Sequence, residues 1–395
     1  MANDIVWYDS DEVSAPVLNN AAGSLDAILY ACLVTGFNPK SGLAITVTSN
    51  VATVTLAGHG YSNGRMVDIA GAATGSINGR KKITVTGSGS FTFPAPGVSD
   101  GAISGSITSK RSPLGWTREA NASNASIYKR SDVTATPQML RVDDSNAGVA
   151  GPTFARAVMI EAFTDISTYT GLAPTAAQLS GGQYISKGAN NTTAKKWLVV
   201  GDSKFFYLFT ESIGTSFANS GGLHAAGFGD PVSYRSGDTY GSLLFAANST
   251  DNLSPFGQAN SLNNAPNSTG MVLARPYSQI GSAIQAGSVG IGSGSTVMGG
   301  GSQTIPAFPS PTDNGIAFAA PMFIAELSSA FGNPIRGYFP GAAIPLGRLG
   351  DKGLHGTVLP SVVGTSRDML LVGLVVPSNA SQTGAVAIDV TGPWR

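Results

Sequence analysis

Short runs in which apolar and polar residues alternate, separated by glycine and asparagine, recur along most of the 395-residue chain. A period of two places successive side chains on opposite faces of a strand, and Gly and Asn supply the backbone conformations of turns. The clearest runs are AITVTS, VATVTLAG, MVDIAG and KITVTGSGSFTF, all between residues 44 and 93. This pattern requires sheets joined by many turns, and we predict a mainly β fold.

The composition agrees with a β-rich protein whose surface meets other proteins. The chain has 51 glycines, and charged residues make up 12% of it, against about a quarter in an average globular protein. Interface cores are depleted of charge in the same way. The 23 basic and 23 acidic residues balance, so no global field favours nucleic acid. We therefore expect no nucleic-acid binding and, without a long apolar run, no membrane insertion.

One segment departs from the strand pattern and predicts a helix within residues 15–37. Apolar residues recur there at spacings of three and four and form one stripe: Leu18, Ala22, Leu25, Ile28, Leu29, Cys32 and Leu33. Gly36 is the predicted stop. Cys32 is the only cysteine, so no intrachain disulfide can form, and we expect it in the core. The acidic N-terminal sequence does not resemble a signal peptide.

Residues 38–112 are predicted to form a compact β-module of five or six strands. They carry seven basic and two acidic side chains, so the rest of the neutral chain carries the opposite excess. The GRKK run at 79–82 is expected to form a hairpin tip in solvent, and a specific anionic site is the alternative. The candidate surface-contact residues of the module are Tyr61, Asn63, Arg80, Lys81 and Lys82.

The stretch GHGYSNG (58–64) contains Gly-x-Ser-x-Gly, the spelling of a hydrolase nucleophile elbow. The serine of an elbow must lie on a sharp turn from a strand into a helix. The sequence after Ser62, RMVDIAG, has no helical period, and the same spelling recurs in GVSDG (97–101). We predict that Ser62 is not catalytic and that the glycines of the stretch form turns: Gly58, Gly60 and Gly64.

No other pattern indicates catalysis, a cofactor or a metal ion. His59, His224 and His355 are far apart and have no His or Cys at metal-ligand spacing. The chain has neither a P-loop nor a dinucleotide fingerprint. A glycosidase needs two carboxylates brought together in space, and no pattern selects a pair among the acidic candidates: Asp143, Asp144, Glu161, Asp165 and Glu211. We predict a non-enzymatic protein with no catalytic, cofactor-binding or metal-binding residue.

The remaining sequence predicts long strands and one long loop region. WLVVGDSKFFYLF (197–209) is expected to be a hairpin, because a Gly-Asp-Ser-Lys turn separates two apolar runs. Residues 248–320, rich in Ser, Asn, Gly and Pro, predict long loops that order against neighbouring subunits. The terminal Trp394–Arg395 pair is expected to be packed or at an interface, because a mobile polar tail rarely ends this way.

The expected architecture is a β-sandwich-like main domain with one N-terminal helix and an inserted β-module. The main domain comprises residues 1–37 and 113–395, and the module comprises residues 38–112. We expect the module to pack loosely beside the main domain and to project outward, since insertions are tolerated at exposed loops.

The module sequence resembles the small β-modules that follow the first catalytic-cysteine half-domain of ubiquitin-activating enzymes. The resemblance lies in VATVTLAGHGYSNGRMVDIAGAATGSINGRKKITVTGSGSFTF (51–93): a strand, Gly-His-Gly, a turn, VDI, INGR and a Thr-rich strand. Modules of this type recur as inserted surface domains in virion proteins of tailed bacteriophages. This copy contains no cysteine, so the resemblance implies a surface module and no ubiquitin chemistry.

The flanking chain resembles a family of structural proteins from tailed bacteriophages. The resembling pieces are SAPVLNNAAGSLDAILYACLVTGF, LGWTREANASNASIYKR, LRVDDS, WLVVGDSKFFYLF, GDPVSYRSGDTY, IRGYFPG and AIDVTGPWR. In that family the helix segment runs almost directly into the Gly-Trp-Thr segment, whereas here the module separates Phe37 from Gly115. The resemblance covers most of the chain outside 248–320, implies an insertion and carries over no catalytic residue.

Three functional classes remain open from the sequence. The leading one is a structural component of a tailed-phage virion, made in the bacterial cytoplasm, with several copies at the tail, baseplate or neck; its partners are other virion proteins and copies of itself. The alternative is a capsid decoration protein, or a receptor- or carbohydrate-binding protein in which Tyr61 and Asn63 contact a host surface glycan. The third is a polysaccharide-degrading tail spike, which would need a carboxylate pair; the chain lacks the repeat of a β-helix.

Overall fold

The structure is a computed structural model that describes the chain with several gaps. The described residues are 4–188, 190–211, 223–248, 270–289, 315–319, 321–327, 332–346, 355–362, 366–375 and 383–395. Strands dominate this part of the chain and one short helix accompanies them, so the prediction of a mainly β fold is confirmed.

The N-terminal segment supplies one strand and the helix. Strand β1 spans Val6–Asp9, helix α1 spans Ser24–Leu29, and the helix continues as a π-helical turn over Tyr30–Thr35. Gly36, with a φ of 73°, ends it as predicted. The predicted start near residue 15 is wrong, because Leu18 forms a β-bridge instead of a helical turn.

A carboxylate from a distant part of the chain determines where the helix begins. Asp144 accepts hydrogen bonds from the backbone N–H groups of Leu25, at 2.7 Å, and Asp26, at 3.2 Å. The Nζ atom of Lys187 lies 2.5 Å from the same carboxylate. Since the first amides of a helix have no partner within it, this buried group supplies one. Burial raises the pKa of Asp144 even with Lys187 beside it.

Nine strands lie between residues 40 and 111, where five or six were predicted. They are β2 Lys40–Ser41, β3 Ala44–Thr48, β4 Val51–Thr55, β5 Met66–Ala72, β6 Gly79–Lys82, β7 Thr84–Gly87, β8 Ser90–Pro94, β9 Gly101–Ile103 and β10 Gly105–Arg111. One sheet has the order β2-β10-β5-β6 and the other β7-β8-β4-β3-β9. Apolar side chains from Leu43 to Ile107 form a core made only of residues from this segment.

The next seven strands form a five-stranded antiparallel sheet and a small two-stranded one. They are β11 Thr117–Ala122, β12 Ala125–Lys129, β13 Met139–Asp143, β14 Phe154–Ile160, β15 Ala162–Phe163, β16 Tyr169–Thr170 and β17 Gln183–Ser186. The larger sheet has the order β11-β12-β13-β14-β17, and β15 pairs with β16. Its inner face packs against the helix, which places Tyr128 Oη 2.6 Å from the Asp26 carboxylate.

The remaining strands join β1 in a 15-stranded sheet. They are β18 Trp197–Gly201, β19 Phe205–Glu211, β20 Leu223–Gly229, β21 Val232–Ser233, β22 Leu243–Phe245, β23 Met271–Leu273, β24 Ile284–Val289, β25 Ala317–Ala319, β26 Phe323–Glu326, β27 Ile335–Tyr338, β28 Ala342–Leu346, β29 Val358–Val362, β30 Arg367–Val375 and β31 Thr383–Asp389. The main path is β21-β27-β26-β24-β23-β22-β20-β30-β31-β28-β25, and β19 and β18 link β20 to β1.

Both faces of the large sheet are buried at its centre, which explains the continuous apolar runs of β18 and β19. Val199 and Phe206 face the core that contains the helix and the five-stranded sheet. Val200, Phe205 and Tyr207 face a second core, to which distant strands of the same sheet contribute. The sheet therefore curves around this second core, and the sandwich-like packing that we predicted is present.

Several local predictions can be compared with the structure. The hairpin of β18 and β19 is confirmed, with Val199 opposite Leu208. Trp394 is buried and its Nε1 atom donates to the Asp389 carbonyl at 2.9 Å, so the packed terminus is confirmed. The predicted loop region 248–320 is wrong where β23, β24 and β25 form; residues 249–269, 290–314 and 320 lie outside the described residues.

Candidate functional site

A buried ion-pair network joins the module to the N-terminal segment. Arg65 and Arg111, 5% and 1% exposed, approach the carboxylate of Glu12, and Arg65 also pairs with Asp9. The guanidinium of Arg65 lies 3.0 Å from the ring centre of Trp7. Burial lowers the pKa of Arg65, and Glu12 and Asp9 oppose this effect. The prediction of a loosely packed module is wrong, because buried charges hold it against the main body.

The chain enters and leaves the module at one point. The N–H of Arg111 donates to the Phe37 carbonyl at 2.8 Å, and the N–H of Leu114 donates to the Cys32 carbonyl at 2.8 Å. Tyr8 Oη donates to the Ser112 carbonyl at 2.5 Å. The two ends of segment 38–112 are therefore adjacent, which is the geometry that an insertion requires.

The GHGYSNG stretch is a turn and not a nucleophile elbow. His59 Nδ1 accepts the N–H of Tyr61 at 2.9 Å, and its Nε2 atom lies 3.0 Å from the Gly87 carbonyl. Both ring nitrogens are thus engaged with the backbone, and neither remains to activate Ser62. The three glycines all have positive φ angles, as the prediction of turn glycines requires: Gly58, Gly60 and Gly64.

Two of the predicted surface-contact residues are largely engaged inside the molecule. Tyr61 is 5% exposed, and its hydroxyl lies 2.9 Å from Ser109 Oγ, so the expectation of an exposed ring is wrong. Arg80 Nε donates to Ser112 Oγ at 2.8 Å, and its Nη2 atom donates to the Pro113 carbonyl at 2.5 Å. Tyr61 stabilises the interior of the module, and Arg80 stabilises the point where the chain leaves it.

The other three predicted contact residues lie nearer to solvent. Asn63 is exposed, and its Oδ1 atom accepts the N–H of Val85 at 3.0 Å. Lys81 Nζ donates to the Ser76 carbonyl at 2.8 Å, and Lys82 is exposed. GRKK is strand β6 and not a hairpin tip, because the Asn78 side chain bonds both backbone groups of Ala72 and closes the turn earlier.

A groove lies on the outer face of the module's four-stranded sheet, and its volume is about 570 Å³. We call it the basic groove, and its lining residues are Pro39, Lys40, Ser41, Asp68, Ala70, Thr108, Ser109 and Lys110. The volume falls within the range of about 300–1,000 Å³ that ligand sites occupy.

Strand register places the polar groups of the groove in two rows. Asp68 lies opposite Arg80 on one side and Lys110 on the other. Thr108 lies opposite Ala70 and Ser41 in the next row. Directly opposed residues share one face of a sheet, with Cβ atoms about 5 Å apart. A carboxylate flanked by cations therefore lies beside two hydroxyl groups.

A second exposed feature lies at the β21 edge of the large sheet. We call it the tyrosine surface, and it comprises Tyr234, Arg235, Tyr277, Phe323 and Tyr338. Tyr234 and Tyr277 are 58% and 43% exposed. The ring centre of Tyr234 lies 5.8 Å from that of Tyr338, and the Arg235 guanidinium lies 4.4 Å from the ring centre of Tyr277. The set is rich in Tyr and Arg, like the centres of protein interfaces.

Buried charges hold the tyrosine surface in place. Arg336 is fully buried, and its guanidinium lies 2.6 Å from Asp238 and 3.1 Å from Glu326. The same Glu326 accepts the N–H of Tyr277 at 2.7 Å. Arg235 Nη1, in contrast, is buried and has no hydrogen-bond partner among the described residues. A buried donor without an acceptor is destabilising.

The acidic candidates all have structural roles in the described chain. Asp143 accepts from Ser145, Asp144 holds the helix start, and Asp165 accepts from Ser167. Glu161 makes a two-pronged ion pair with Arg275, at 2.6 and 2.8 Å, and Glu211 accepts the N–H of Lys196 at 3.0 Å. Each carboxylate thus has its own local partner.

Two features of the described residues concern metal binding and membrane spans. Burial lowers the pKa of His224 and of His355 to about 4. Within the described ranges, no three His, Cys, Asp or Glu side chains are grouped to hold a metal ion.

The helices of the same ranges are too short or too polar to cross a bilayer.

Comparisons with known proteins assign the chain to no family. No protein-family model and no curated protein matches the chain. Among solved structures, the chain is similar to a phage phi92 endosialidase at 13% identity and a TM-score of 0.16. The alignment covers 90% of this chain and 52% of that one, so the chain spans about half the length of the endosialidase. A similarity at this level supports no inference about fold or function.

Neither the basic groove nor the tyrosine surface was predicted from the sequence. The signal for the basic groove was the alternation in MVDIAG and SITSKR, but a bulge between Gly105 and Thr108 hides which positions face each other. The signal for the tyrosine surface was the cluster in GDPVSYRSGDTY. Its exposure depends on β27, which pairs with β21, and on β26, which pairs with β27, and these pairings form only in the folded sheet.

Proposed function

We propose that this protein is a non-enzymatic structural component of a tailed-bacteriophage virion. It would be present in several copies at the tail, baseplate or neck, with the capsid surface as the alternative position. The resemblance of the flanking segments to tailed-phage structural proteins supports the class. The adjacency of Phe37 and Arg111 supports the view that residues 38–112 are a module inserted into that parent chain.

The tyrosine surface is the observation that carries the assembly role. It combines exposed aromatic rings with a stacked arginine. Monomeric proteins rarely expose large contiguous apolar patches, and subunit interfaces concentrate their binding energy in residues such as Tyr and Arg. We infer that this surface contacts a neighbouring virion subunit through its exposed tyrosine rings and Arg235.

Particle incorporation tests this role. Phage particles are assembled with the wild-type protein, with Tyr234→Ala or with Val133→Ala, and the copies per particle are counted by quantitative blot. Tyr234→Ala should lower incorporation at least about tenfold, as expected for an interface hot spot. Val133 is 97% exposed and lies outside the tyrosine surface, so Val133→Ala should incorporate normally. Equal incorporation of all three proteins would refute the interface.

The basic groove favours a second candidate function, binding of a host surface glycan. Lys110 and Asp68 supply charged contacts, and Ser41 and Thr108 supply hydroxyl groups. The module that carries this groove is fixed by buried ion pairs, so a ligand held there would be held in a constant orientation. This adhesion role is compatible with a structural position, because the basic groove and the tyrosine surface are formed by different strands.

A further inference from the structure

A lysine, an aspartate and an asparagine meet inside the protein, beside the start of the helix. Lys187 directly follows β17, and Asp144 and Asn146 follow β13. The Nζ atom of Lys187 lies 2.5 Å from Asp144 Oδ1 and donates to Asn146 Oδ1 at 2.9 Å. The side chains of Lys187 and Asp144 are both 0% exposed. An amine, a carboxyl group and a primary amide are therefore in contact, and the first two are shielded from water.

The buried position favours transfer of a proton from Lys187 to Asp144. An ammonium group has no lone pair, so it must lose a proton before its nitrogen can act as a nucleophile. Burial disfavours charged groups, and it raises the pKa of Asp144 above that of an ordinary carboxyl group. Since Asp144 Oδ1 is within hydrogen-bond distance of Nζ, the proton can pass between the two side chains without a water molecule.

The amide of Asn146 is held within reach of this amine. Its Nδ2 atom donates to the Asn20 carbonyl at 2.9 Å, so both ends of the amide have a partner. Oδ1 is bonded to Cγ, and because a C=O bond is about 1.2 Å long, Nζ lies within about 4 Å of Cγ. Two reacting groups held together in this way react much faster than free ones. Asn146 is only half-buried, so a small leaving group can escape to solvent.

We propose that Lys187 and Asn146 form an intramolecular isopeptide bond, with Asp144 as the proton carrier. Asp144 takes one proton from Nζ, and the neutral amine attacks Cγ of Asn146. Asp144 then gives its proton to Nδ2 and takes a second proton from Nζ. The Nζ–Cγ bond forms, the Cγ–Nδ2 bond breaks, and ammonia leaves. One amine and one primary amide thus give one secondary amide and ammonia, and no oxidant or reductant takes part.

The bond braces the five-stranded sheet independently of its hydrogen bonds. Strands β13 and β17 lie on either side of β14, and the bond joins the segments that follow them. Residues 147–186 then lie within a closed covalent loop, which restricts the unfolded chain as a disulfide does. The N–H that remains on Nζ can still donate to the Ala21 carbonyl, which lies 2.7 Å away before the helix. The proposal goes beyond the virion role and does not depend on it.

Mass spectrometry of the purified full chain, denatured before measurement, tests the bond. The wild-type chain should be lighter than its sequence requires by the mass of one ammonia molecule. Trypsin cleaves at Arg156, between the two residues, so the peptides that contain Asn146 and Lys187 stay together only through the new bond. Trypsin should also fail to cleave after Lys187. The branched peptide distinguishes this bond from a cyclised asparagine, which loses ammonia without joining two peptides.

Three variants remove one participant each. Lys187→Arg and Asn146→Ala lack a reacting group, so each should have its full mass and give no branched peptide. Asp144→Ala keeps both reacting groups and should also leave them unlinked, because no carboxyl group carries the proton. Thermal unfolding verifies that each variant is folded, and Asn146→Ala, the change nearest to solvent, keeps the test valid if a change at Asp144 prevents folding.

Two matched controls make the same changes elsewhere. Lys195 lies 3.8 Å from the carboxylate of Glu211, and Asn190 is an exposed asparagine. Lys195→Arg and Asn190→Ala should retain the mass loss and the branched peptide. A wild-type chain of full mass, the loss of one water molecule through a bond to Asp144, or a branched peptide that persists in Asn146→Ala or Asp144→Ala would each overturn the proposal.

Discussion

Arg111 is the residue that most strongly links the module to the main body. Its guanidinium contacts Glu12, the Met66 carbonyl and the Trp7 carbonyl within a site that is almost completely buried. Arg111→Met leaves the Glu12 carboxylate buried with only Arg65 near it. We expect the free energy of unfolding to fall by about 3–5 kcal/mol, the usual result of breaking a buried pair from one side. Urea denaturation measures the change.

The double variant Glu12→Gln/Arg111→Met separates the charge effect from lost packing. It removes both charges, so it should recover much of the stability that Arg111→Met alone loses. The exposed pair of Lys196 and Asp11 provides the control, and Lys196→Gln should cost less than about 1 kcal/mol. Equal costs for Arg111→Met and Lys196→Gln would show that the network does not hold the module.

His224 predicts a loss of stability in mild acid. Burial lowers its pKa to about 4 in the folded protein, against about 6.5 in the unfolded chain. Between these values the unfolded chain binds more protons, so stability falls as the pH falls from 6.5 towards 4. His224→Asn should remove up to about 2 kcal/mol of the decline between pH 6.5 and 5. Urea unfolding at both pH values measures it, and identical declines in the two proteins would contradict the assignment.

At the scale of elements, Gly36 connects the end of the helix to the module. Its φ of 73° and ψ of 178° are accessible almost only to glycine, and an added Cβ would lie 2.1 Å from the Arg111 carbonyl oxygen. Gly42 has a similar φ of 74°, but an added Cβ there meets nothing within 4 Å. Gly42→Ala should cost about 1 kcal/mol, and Gly36→Ala about 1–3 kcal/mol more.

Thermal unfolding of the two alanine variants measures the combined cost of the Gly36 backbone conformation and of its close approach to Arg111. If both variants are destabilised equally, the close approach of Gly36 to Arg111 does not contribute to the loss of stability. If Gly36→Ala is the less stable, the junction between helix and module is tightly packed, as the adjacent backbone hydrogen bond of Arg111 to Phe37 indicates.

Elements whose signal is local could be predicted from the sequence, and elements defined by distant partners could not. The β18–β19 hairpin followed from one turn and two apolar runs. The start of α1 did not, because Asp144 and Lys187 lie more than a hundred residues away. Likewise, GRKK has the composition of a turn, and only its pairing with β5 makes it a strand.

At the scale of the whole molecule, the module could be predicted from the sequence, but its attachment to the main body and its groove could not. The sequence predicted a separate module at 38–112, and its strands do form a core of their own. Its attachment was mispredicted because Arg65 and Arg111 meet Asp9 and Glu12 only after folding. The basic groove also depends on strand register, which composition does not determine.

Imaging of purified virions with a gold label on the module tests the central claim most directly. Ser99 is exposed between β8 and β9, and the only native cysteine, Cys32, is buried, so Ser99→Cys gives a single reactive thiol. We predict regularly spaced label on the outside of the particle, at the tail, baseplate or neck. Particles that carry no label, and whose denatured proteins do not include this chain, would contradict a virion structural role.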